Sequence, residues 1–172
     1  MKEGSNRIYI IGGPGSGKSY AAKKISRHLN TPSLDLDTIF WAKEDTNYTK
    51  KASEKERDKL LVKTITKKSW IIEGSYTKWV SPIIQSADTI ILLKPPTLIR
   101  SLRLIKRSIG RTLTREKKQK ENIMAFIKLM RFNHQFNKIH IKRIENDLNT
   151  CKATIYTFKK ADDAITHILS IR

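Results

Sequence analysis

The sequence predicts one α/β domain in which helices cover both faces of a parallel sheet. The chain has 172 residues, which suits a single domain with a sizeable core. Short β-branched runs alternate with segments that repeat apolar residues every three or four positions. A glycine-rich loop separates the first strand from the first helix. Such alternation of strands and helices is typical of parallel βα units.

The first part of the chain predicts two strands and two helices. Residues 7–11 are β-branched and aromatic, as expected of a buried strand, and residues 20–29 place apolar side chains on one helical face. Residues 32–37 form a short strand that ends in two acidic residues, and a polar loop follows over 42–51. A Ser-x-x-Glu capping box then opens a helix over 53–67.

The middle of the chain predicts two buried strands and two helical segments. Residues 70–73 and 89–93 are the apolar runs, closed by a glycine and by two prolines respectively. Residues 76–86 are helical only in part, since Pro82 suits a first turn better than a helix interior. A threonine then caps a helix over 97–108.

The last part predicts a long helix, a strand and a final helix. Residues 110–120 are basic and weakly patterned. One continuous helix is expected over 123–148, because its apolar residues keep a spacing of three or four, and His134 lies on that stripe as a core histidine. A strand over 153–158 and a helix over 161–171 complete the chain.

The loop after the first strand matches the phosphate-binding pattern G-x-x-x-x-G-K-[ST]. Its residues are Gly12, Gly13, Pro14, Gly15, Ser16, Gly17, Lys18 and Ser19. Glycines permit positive φ and a close approach to phosphate oxygens, and successive N–H groups form an anion-binding nest. Lys18 is expected to reach the β- and γ-phosphates, and the Ser19 hydroxyl to bind Mg²⁺. The strand–loop–helix order supports a nucleoside triphosphate site.

Net charge and cysteine content narrow the partners and the compartment. A formal net charge of +19 attracts polyanions, so nucleotides and nucleic acids are both candidates, while a solvated lysine-rich surface is the simpler explanation. No stretch of the sequence approaches the length of a membrane span, which needs about 18 continuous apolar residues. The single cysteine, Cys151, cannot form an internal disulfide and is expected to be a buried, inert thiol, which agrees with a cytoplasmic protein. Oligomeric state is left open.

Three acidic residues are expected beside the loop, at the carboxyl ends of strands. Asp35 and Asp37 end the second strand and, being two residues apart, share one face of it, while Glu73 ends the third strand. One acid near Mg²⁺ and the other on a phosphoryl acceptor would explain the pair, and a helix-capping role for Asp37 is the alternative. Glu73 is suited to hold a metal-bound water or to take the acceptor's proton, or else it pairs with a lysine.

Aromatic and arginine side chains supply the remaining candidates. Tyr76 and Trp79 either wall an acceptor pocket or pack in the core. Arg100, Arg103 and Arg107 recur at helical spacing after the fourth strand. Arginines there would neutralise charge on a transferred phosphoryl group, or else form a solvated face. The histidines and the cysteine do not have zinc-ligand spacing, so no transition-metal site is predicted.

Three segments carry a family resemblance: residues 10–19, the Asp-Leu-Asp step at 35–37 before Phe40-Trp41, and Trp-Ile-Ile-Glu-Gly-Ser-Tyr at 70–76. Together they resemble bacterial DNA topology modulation proteins, which are small P-loop proteins similar to adenylate and shikimate kinases. The resemblance covers nearly the whole chain. It implies a three-layer P-loop NTPase fold of nucleoside monophosphate kinase type, a five-stranded parallel sheet of order 2-3-1-4-5, and Mg·ATP on the loop.

The resemblance also implies roles for individual residues. In shikimate-kinase-like relatives the first acid of the Asp-x-Asp step lies near Mg²⁺ and the second holds the acceptor, which gives these roles to Asp35 and Asp37. Glu73-Gly74 matches the acid-glycine step that ends strand three of monophosphate kinases, although Asp is commoner there. The lid arginines of such kinases correspond to Arg107, Arg111 and Arg115.

The residues and the resemblance together predict a Mg²⁺- and ATP-dependent phosphotransferase that acts on a small acceptor, with nucleotides among the candidates. The predicted catalytic residues are Lys18, Asp35, Glu73 and Arg107. Nucleotide binding is assigned to the eight loop residues and to Tyr20, Arg107 and Arg111. Acceptor binding is assigned to Asp37, Phe40, Trp41, Glu73, Gly74, Tyr76 and Arg100. Mg²⁺ binding is assigned to Ser19 and Asp35.

One departure from the pattern and one alternative function accompany this prediction. Tyr20 stands where many such loops carry threonine, so a short hydroxyl near the α-phosphate is missing. The alternative function is a DNA-associated regulatory protein whose nucleotide site acts as a switch. The DNA phosphate contacts would then come from Lys128, Arg131, Lys138, Lys142 and Arg143.

Overall fold

The computed structural model describes residues 6–41, 50–113 and 123–171. The strands are β1 (Arg7–Gly12), β2 (Ser33–Asp35), β3 (Trp70–Gly74), β4 (Thr89–Leu93) and β5 (Thr154–Phe158). The helices are α1 (Lys18–His28), α2 (Asp37–Phe40), α3 (Glu54–Ile65), α4 (Ser81–Ser86), α5 (Thr97–Leu113), α6 (Ile123–Gln135), α7 (Ile141–Arg143), α8 (Glu145–Thr150) and α9 (Ala161–Ser170). A π-helical turn, Phe136–His140, joins α6 to α7. Most of the predicted loop over 42–51, and the predicted lid residue Arg115, lie outside the described residues.

The five strands form one parallel sheet in the order β2-β3-β1-β4-β5, as predicted. The central strand β1 pairs with β3 on one side and with β4 on the other. The carboxyl ends of these strands therefore meet at the same edge of the sheet, where the loop begins. In the β2–β3 pairing, Asp35 lies opposite Glu73.

Helices cover both faces of the sheet, because side chains alternate along each strand. Along β1, Tyr9 and Ile11 point into a core shared with α3, α4 and the helices after α5, whereas Ile8 and Ile10 point into a core shared with α1 and α9. All four side chains are fully buried. No helix in the described ranges combines the length and the apolar character needed to cross a membrane.

Two predicted elements differ from the structure at their ends. Strand β2 stops at Asp35, and Asp37 begins the short helix α2 instead of continuing the strand. The prediction that Asp35 and Asp37 share a strand face was therefore wrong. Helix α5 continues to Leu113, past the predicted end at residue 108, and Thr97 is its first helical residue instead of its cap.

The long helix predicted over 123–148 is divided into α6, the π-helical turn, α7 and α8. Phe136 and Ile141, which are both buried, are five residues apart. A π-helical turn, with hydrogen bonds between residues five apart, places such a pair on one face, which an α-helix does not. The buried positions on either side of His134 are Asn133, in α6, and Phe136, the first residue of the turn. His134 itself is exposed, so the expectation of a core histidine was wrong. Cys151 is half-buried.

The predicted capping box of α3 is confirmed. The Ser53 hydroxyl accepts a hydrogen bond from the N–H of Glu56 at 3.2 Å, and the Glu56 carboxylate accepts one from the N–H of Ser53 at 3.3 Å. Two N–H groups at the helix start thus have partners that the helix itself cannot supply.

Replacing the capping serine should destabilise the protein measurably. We expect Ser53→Ala to lower the free energy of unfolding by about 1 kcal/mol, because the N–H of Glu56 loses its acceptor. Urea unfolding followed by circular dichroism measures this. The control is Ser170→Ala at the end of α9, where the hydroxyl donates to the carbonyl of His167 within the helix. Equal unfolding midpoints for Ser53→Ala and wild type would contradict the assigned role.

Candidate active site

The glycine-rich loop connects the buried end of β1 to the first turn of α1. Gly15 has φ of 73° and Gly17 has φ of 93°, and a side chain at either position would be strained. Gly17 is also the N-cap of α1 and has no side chain to offer as a capping oxygen. The first N–H groups of a helix have no partners within the helix. The loop therefore presents the positive end of α1 to an anion.

The residues assigned to nucleotide binding differ in exposure. Gly12, Gly13, Pro14 and Ser16 are buried, whereas Gly15, Gly17 and Lys18 are half-buried, and Ser19 and Tyr20 are exposed. The Tyr20 hydroxyl hydrogen-bonds the Asp162 carboxylate of α9, which raises the pKa of the tyrosine. Tyr20 thus faces α9, and its role in nucleotide binding stays a prediction.

The Glu73 carboxylate at the end of β3 is the most buried acid of the site. Glu73 is 2% exposed, and its Oε2 atom lies 3.9 Å from Lys18 Nζ. The pKa of Glu73 is raised to about 7, first by burial and to a lesser extent by the charge of Asp35, while the Lys18 ammonium opposes the shift. A hydrogen bond from Ser19 favours the ionised form. Within the described ranges Glu73 Oε2 has no hydrogen-bond partner, so this oxygen is available to a ligand.

A tight turn brings Asp35 and Asp37 together. The N–H of Asp37 donates to Asp35 Oδ1 at 2.9 Å, and the Thr38 hydroxyl donates to the carbonyl of Asp35 at 2.6 Å. Burial raises the pKa of Asp35. The hydrogen bond from the N–H of Asp37 opposes this effect, and the negative charge of the Asp37 carboxylate adds to it. The structure therefore does place the two acids side by side, although by a turn instead of by strand pleating. Asp37 is itself the first residue of α2 and Leu36 holds the N-cap position, so the capping role considered for Asp37 was wrong.

The acidic groups fit a Mg²⁺ ion that is held mainly by phosphate oxygens. Over the ranges that the structure describes, no set of three Asp, Glu, His or Cys side chains is arranged to hold a metal by itself. Mg²⁺ in nucleotide sites is bound through one or two protein ligands, with phosphates and waters completing the octahedron. The orphaned Glu73 oxygen, with Ser19 hydrogen-bonded to the same carboxylate, suits that arrangement. The assignment of Ser19 and Asp35 to Mg²⁺ stays a prediction.

Four aromatic rings line the acidic side of the site. The Phe40 ring lies 4.9 Å from Trp41, 4.5 Å from Tyr76 and 6.1 Å from Trp79, measured between centroids. The Tyr76 hydroxyl donates to Asp37 Oδ1 at 2.6 Å, so the phenol connects the rings to the acids. Burial raises the pKa of Tyr76, and Asp37 raises it further. The structure thus brings together Asp37, Phe40, Trp41 and Tyr76, whose role in acceptor binding stays a prediction.

Gly74 has a packing role beside this cluster. A Cβ at Gly74 would lie 2.8 Å from Leu36 Cδ1, so the glycine lets the fully buried Leu36 pack against the end of β3. The N–H of Leu36 donates to the carbonyl of Glu73 at 2.9 Å, which ties the two strand ends together. The glycine therefore helps to hold Asp35 next to Glu73.

Arg100 on α5 is fully buried against the loop. One nitrogen, Nη2, donates to Thr97 Oγ1 and to the carbonyl of Asn133, both at 3.1 Å. Arg100 Nε and Nη1 have no hydrogen-bond partner among the described residues. Nη1 occupies the space that a Cβ at Gly13 would need. These contacts are with the loop and α6, so acceptor binding by Arg100 stays a prediction.

Arg103 was not among the predicted site residues, although its spacing from Arg100 indicated one arginine face. Arg103 Nη1 donates to the carbonyl of Gly15 at 3.2 Å. Arg107, one turn further along α5, is exposed, and the side chain of Arg111 lies outside what the structure describes. Their predicted contacts with the nucleotide therefore stay predictions.

Tyr9 is a second residue that sequence reasoning missed. Its ring is fully buried in β1, and its hydroxyl has no hydrogen-bond partner within the described part of the chain. Burial, together with the nearby Glu73, raises the pKa of this hydroxyl. No sequence signal marks Tyr9, because an aromatic residue in an apolar strand normally indicates core packing.

Comparison with known structures identifies the fold. The shikimate kinase from Acinetobacter baumannii, solved in complex with shikimate, matches with a TM-score of 0.58 at 20% sequence identity, over 98% of this chain and 93% of that chain. The chain has a P-loop kinase fold. The gluconokinase from Sinorhizobium meliloti matches with a TM-score of 0.57 at 11% identity, over 96% and 90% of the two chains. The shikimate kinase from Bacteroides thetaiotaomicron matches with a TM-score of 0.57 at 17% identity, over 96% and 97%.

Sequence comparison adds no closer relative. No protein-family model matches this chain, and no curated protein sequence matches it. At the identities above the likeness concerns the fold. The resemblance to DNA topology modulation proteins stays a prediction.

The burial of Glu73 should make stability depend on pH. The pKa of Glu73 is about 7 in the folded protein and ordinarily 4.5, so the folded protein binds more protons between these values. The stability that the neutral carboxyl contributes is present below pH 4.5 and is lost as the pH rises through about 7. Glu73→Gln cannot ionise, so its stability relative to wild type should rise across this window, by at most about 3 kcal/mol.

Urea unfolding at several pH values across and above this window measures the difference. The matched control is Glu145→Gln, an exposed glutamate on α8, which should follow the wild-type pH curve. Parallel curves for Glu73→Gln and wild type would show that the Glu73 carboxyl keeps its ordinary pKa.

Proposed function

We propose that this chain is a Mg²⁺- and ATP-dependent phosphotransferase that acts on a small acceptor. The observation that carries the proposal is the pairing of Lys18, on the glycine-rich loop, with the buried Glu73 carboxylate 3.9 Å away. A cation for phosphates and an acid for the acceptor or metal thus meet at the carboxyl edge of a P-loop kinase sheet.

The chain's own residues divide the work of such a reaction. ATP bound with Mg²⁺ would supply the phosphoryl group and the charge that draws it to the loop. Lys18 places an ammonium where negative charge accumulates, and the start of α1 adds its positive dipole end. Glu73, with a pKa of about 7, is ionised in a large fraction of molecules near neutral pH and is able to accept a proton from an acceptor hydroxyl. Asp37, oriented by the Tyr76 hydroxyl, holds the acceptor.

The DNA-associated alternative has weaker support. Lys128, Arg131, Lys138, Lys142 and Arg143 are all exposed. Lys128 and Arg131 precede the π-helical turn, Lys138 lies in it, and Lys142 and Arg143 follow it. A π-helical turn has more residues than an α-helical turn, so it rotates the later side chains around the helix axis. A stripe that assumed one continuous α-helix is therefore interrupted. We retain this function as the second candidate on the strength of the net charge of +19.

Lysine removal tests the first candidate. We expect Lys18→Ala to lower ATP-dependent phosphoryl transfer by about 100-fold or more, because a charge beside the transferred group is lost. The measurement is ADP formation from Mg·ATP in a screen of small acceptors, corrected for the rate without acceptor. The control is Lys23→Ala, an exposed lysine on α1, which should retain wild-type activity.

Two outcomes would contradict the proposal. Equal turnover by Lys18→Ala and wild type would remove Lys18 from the mechanism. If no acceptor stimulates ADP formation and the protein instead binds DNA tightly in an ATP-dependent manner, the switch function becomes the better explanation.

The buried arginine should matter for anion binding more than for folding. We expect Arg100→Met to keep the free energy of unfolding within about 1 kcal/mol of wild type, because removing a poorly paired buried charge is close to neutral. Affinity for Mg·ATP should fall about 10-fold or more, since a cation in a low-dielectric site next to the loop favours phosphate binding. Urea unfolding and isothermal titration calorimetry measure the two effects.

The control for this pair of measurements is Arg131→Met, which removes an exposed arginine from α6. A large loss of stability in Arg100→Met with unchanged ATP affinity would make Arg100 a purely structural residue.

A further inference from the structure

The acceptor side of the site is acidic. Asp35 and Glu73 lie opposite each other at the ends of β2 and β3. Asp37 follows Asp35 by two residues, and its N–H donates to Asp35 Oδ1. The charged groups that act on the Asp35 carboxyl are Asp37, Glu73 and Lys18. Of these, Lys18 belongs to the phosphate loop. Three carboxyl groups are thus gathered at the ends of β2 and β3, and Glu73 borders the loop through Lys18.

The buried carboxylate gives this cluster a free acceptor atom. Glu73 is 2% exposed, and its Oε2 has no hydrogen-bond partner among the described residues. The Lys18 ammonium lies 3.9 Å from this oxygen, beyond hydrogen-bond distance. A buried carboxylate oxygen without a hydrogen bond is costly unless a bound group donates to it. Hydroxyl and ammonium groups are donors of that kind, whereas a phosphate or carboxylate is not.

Next to the acids lies a wall of aromatic rings. Tyr76 links the two, since its ring lies 4.5 Å from Phe40 and 5.1 Å from Trp79 while its hydroxyl bonds Asp37. Aromatic faces bind the apolar face of a ring, and they also bind cations. The combination of carboxylates and aromatic faces suits a ligand with one apolar face and several donor groups at its edge.

The cations near these rings are already engaged with aromatic groups or with an acid. Arg57 stacks on Trp79, with Cζ 4.7 Å from the ring centroid, and its Nη2 lies 2.8 Å from Asp58 Oδ1. Lys51 Nζ lies 5.6 Å from the Phe40 centroid. An anionic acceptor would therefore bring its charge toward Asp35, Asp37 and Glu73. Lys51 lies beside the rings, and the loop residue Lys18 is already 3.9 Å from Glu73.

We propose that the phosphoryl acceptor is a polyhydroxylated ring without negative charge, either a neutral sugar or an amino sugar, bound between the aromatic wall and the carboxylates of Asp37 and Glu73. This inference rests on the proposed function, which it makes specific. In the transfer, an acceptor hydroxyl oxygen forms a bond to the γ-phosphorus of ATP as the bond to the ADP oxygen breaks. The hydroxyl proton passes to Glu73.

Matched ligand pairs test the inference. In the first pair a hexose is compared with its phosphate, and in the second the corresponding amino sugar is compared with the sugar acid. A nucleoside is compared with its monophosphate in the third pair. Binding is measured by isothermal titration calorimetry with a non-hydrolysable ATP analogue present, and ADP formation is measured separately with Mg·ATP. We expect the uncharged or amine-bearing member of each sugar pair to bind more tightly.

Two substitutions locate the contact. Asp37→Asn should weaken binding of the uncharged ring about 10- to 100-fold, because a hydrogen bond to a carboxylate is lost. Lys51→Met should change it less than about 3-fold, since the exposed lysine contributes only a screened charge. The control is Asp163→Asn, an exposed aspartate on α9, which should bind as wild type does.

The outcomes separate this inference from the proposed function. Tighter binding of an anionic member, with a loss in Lys51→Met, would overturn the inference, and Lys18-dependent ADP formation with that ligand would leave the phosphotransferase intact. Absence of binding by every uncharged ring at millimolar concentrations would also overturn it. Binding of a sugar that depends on Asp37, without ADP formation, would support the ring-binding site but contradict the phosphotransferase and, with it, the role of the ring as phosphoryl acceptor.

Discussion

Parallel pairing of β1 with β3 determines the distances in the candidate site. The pairing places Ile10 opposite Glu73 and Ile11 opposite Gly74, so the loop that leaves β1 passes beside the end of β3. Lys18 and Glu73, which are far apart in sequence, thereby come within 3.9 Å. The pairing of β2 with β3 adds Asp35 to the same edge. Buried backbone groups of a central strand have no partners other than these neighbours, which makes the arrangement rigid.

The charged groups of the site form a basic cluster and an acidic cluster. On the loop side, the start of α1 is joined by Lys18 and by the buried Arg100, whose Nε and Nη1 lack hydrogen-bond partners among the described residues. On the strand-end side, burial raises the pKa of both Glu73 and Asp35. A buried polar group that lacks some of its hydrogen bonds lowers the stability of the protein, but it favours binding of a ligand that supplies the missing hydrogen bonds. These groups are therefore the strongest structural argument for a ligand that bridges the two clusters.

Tyr76 connects the aromatic wall to the acidic cluster and thus couples packing to chemistry. Its ring packs against Phe40 and Trp79, while its hydroxyl holds Asp37 at 2.6 Å. Sequence reasoning left open whether this tyrosine is a core residue or a pocket residue. The structure shows that it packs against the core, and its role in an acceptor pocket stays a prediction. An acceptor that contacts the rings would consequently also meet an oriented carboxylate.

Local patterns in the sequence determined the strand and helix order, the glycine-rich loop and the capping box at Ser53, because each depends on residues within a few positions of one another. The parallel pairing and strand order followed from those patterns and a family resemblance. Tertiary packing alone decided the placement of Asp37 in a helix, the π-helical turn between Phe136 and His140, and the burial of Arg100 beneath Gly13. A residue-spacing pattern does not by itself fix where a strand or helix ends. The end depends on which side chains can be buried against the neighbouring elements, and that is decided by tertiary packing.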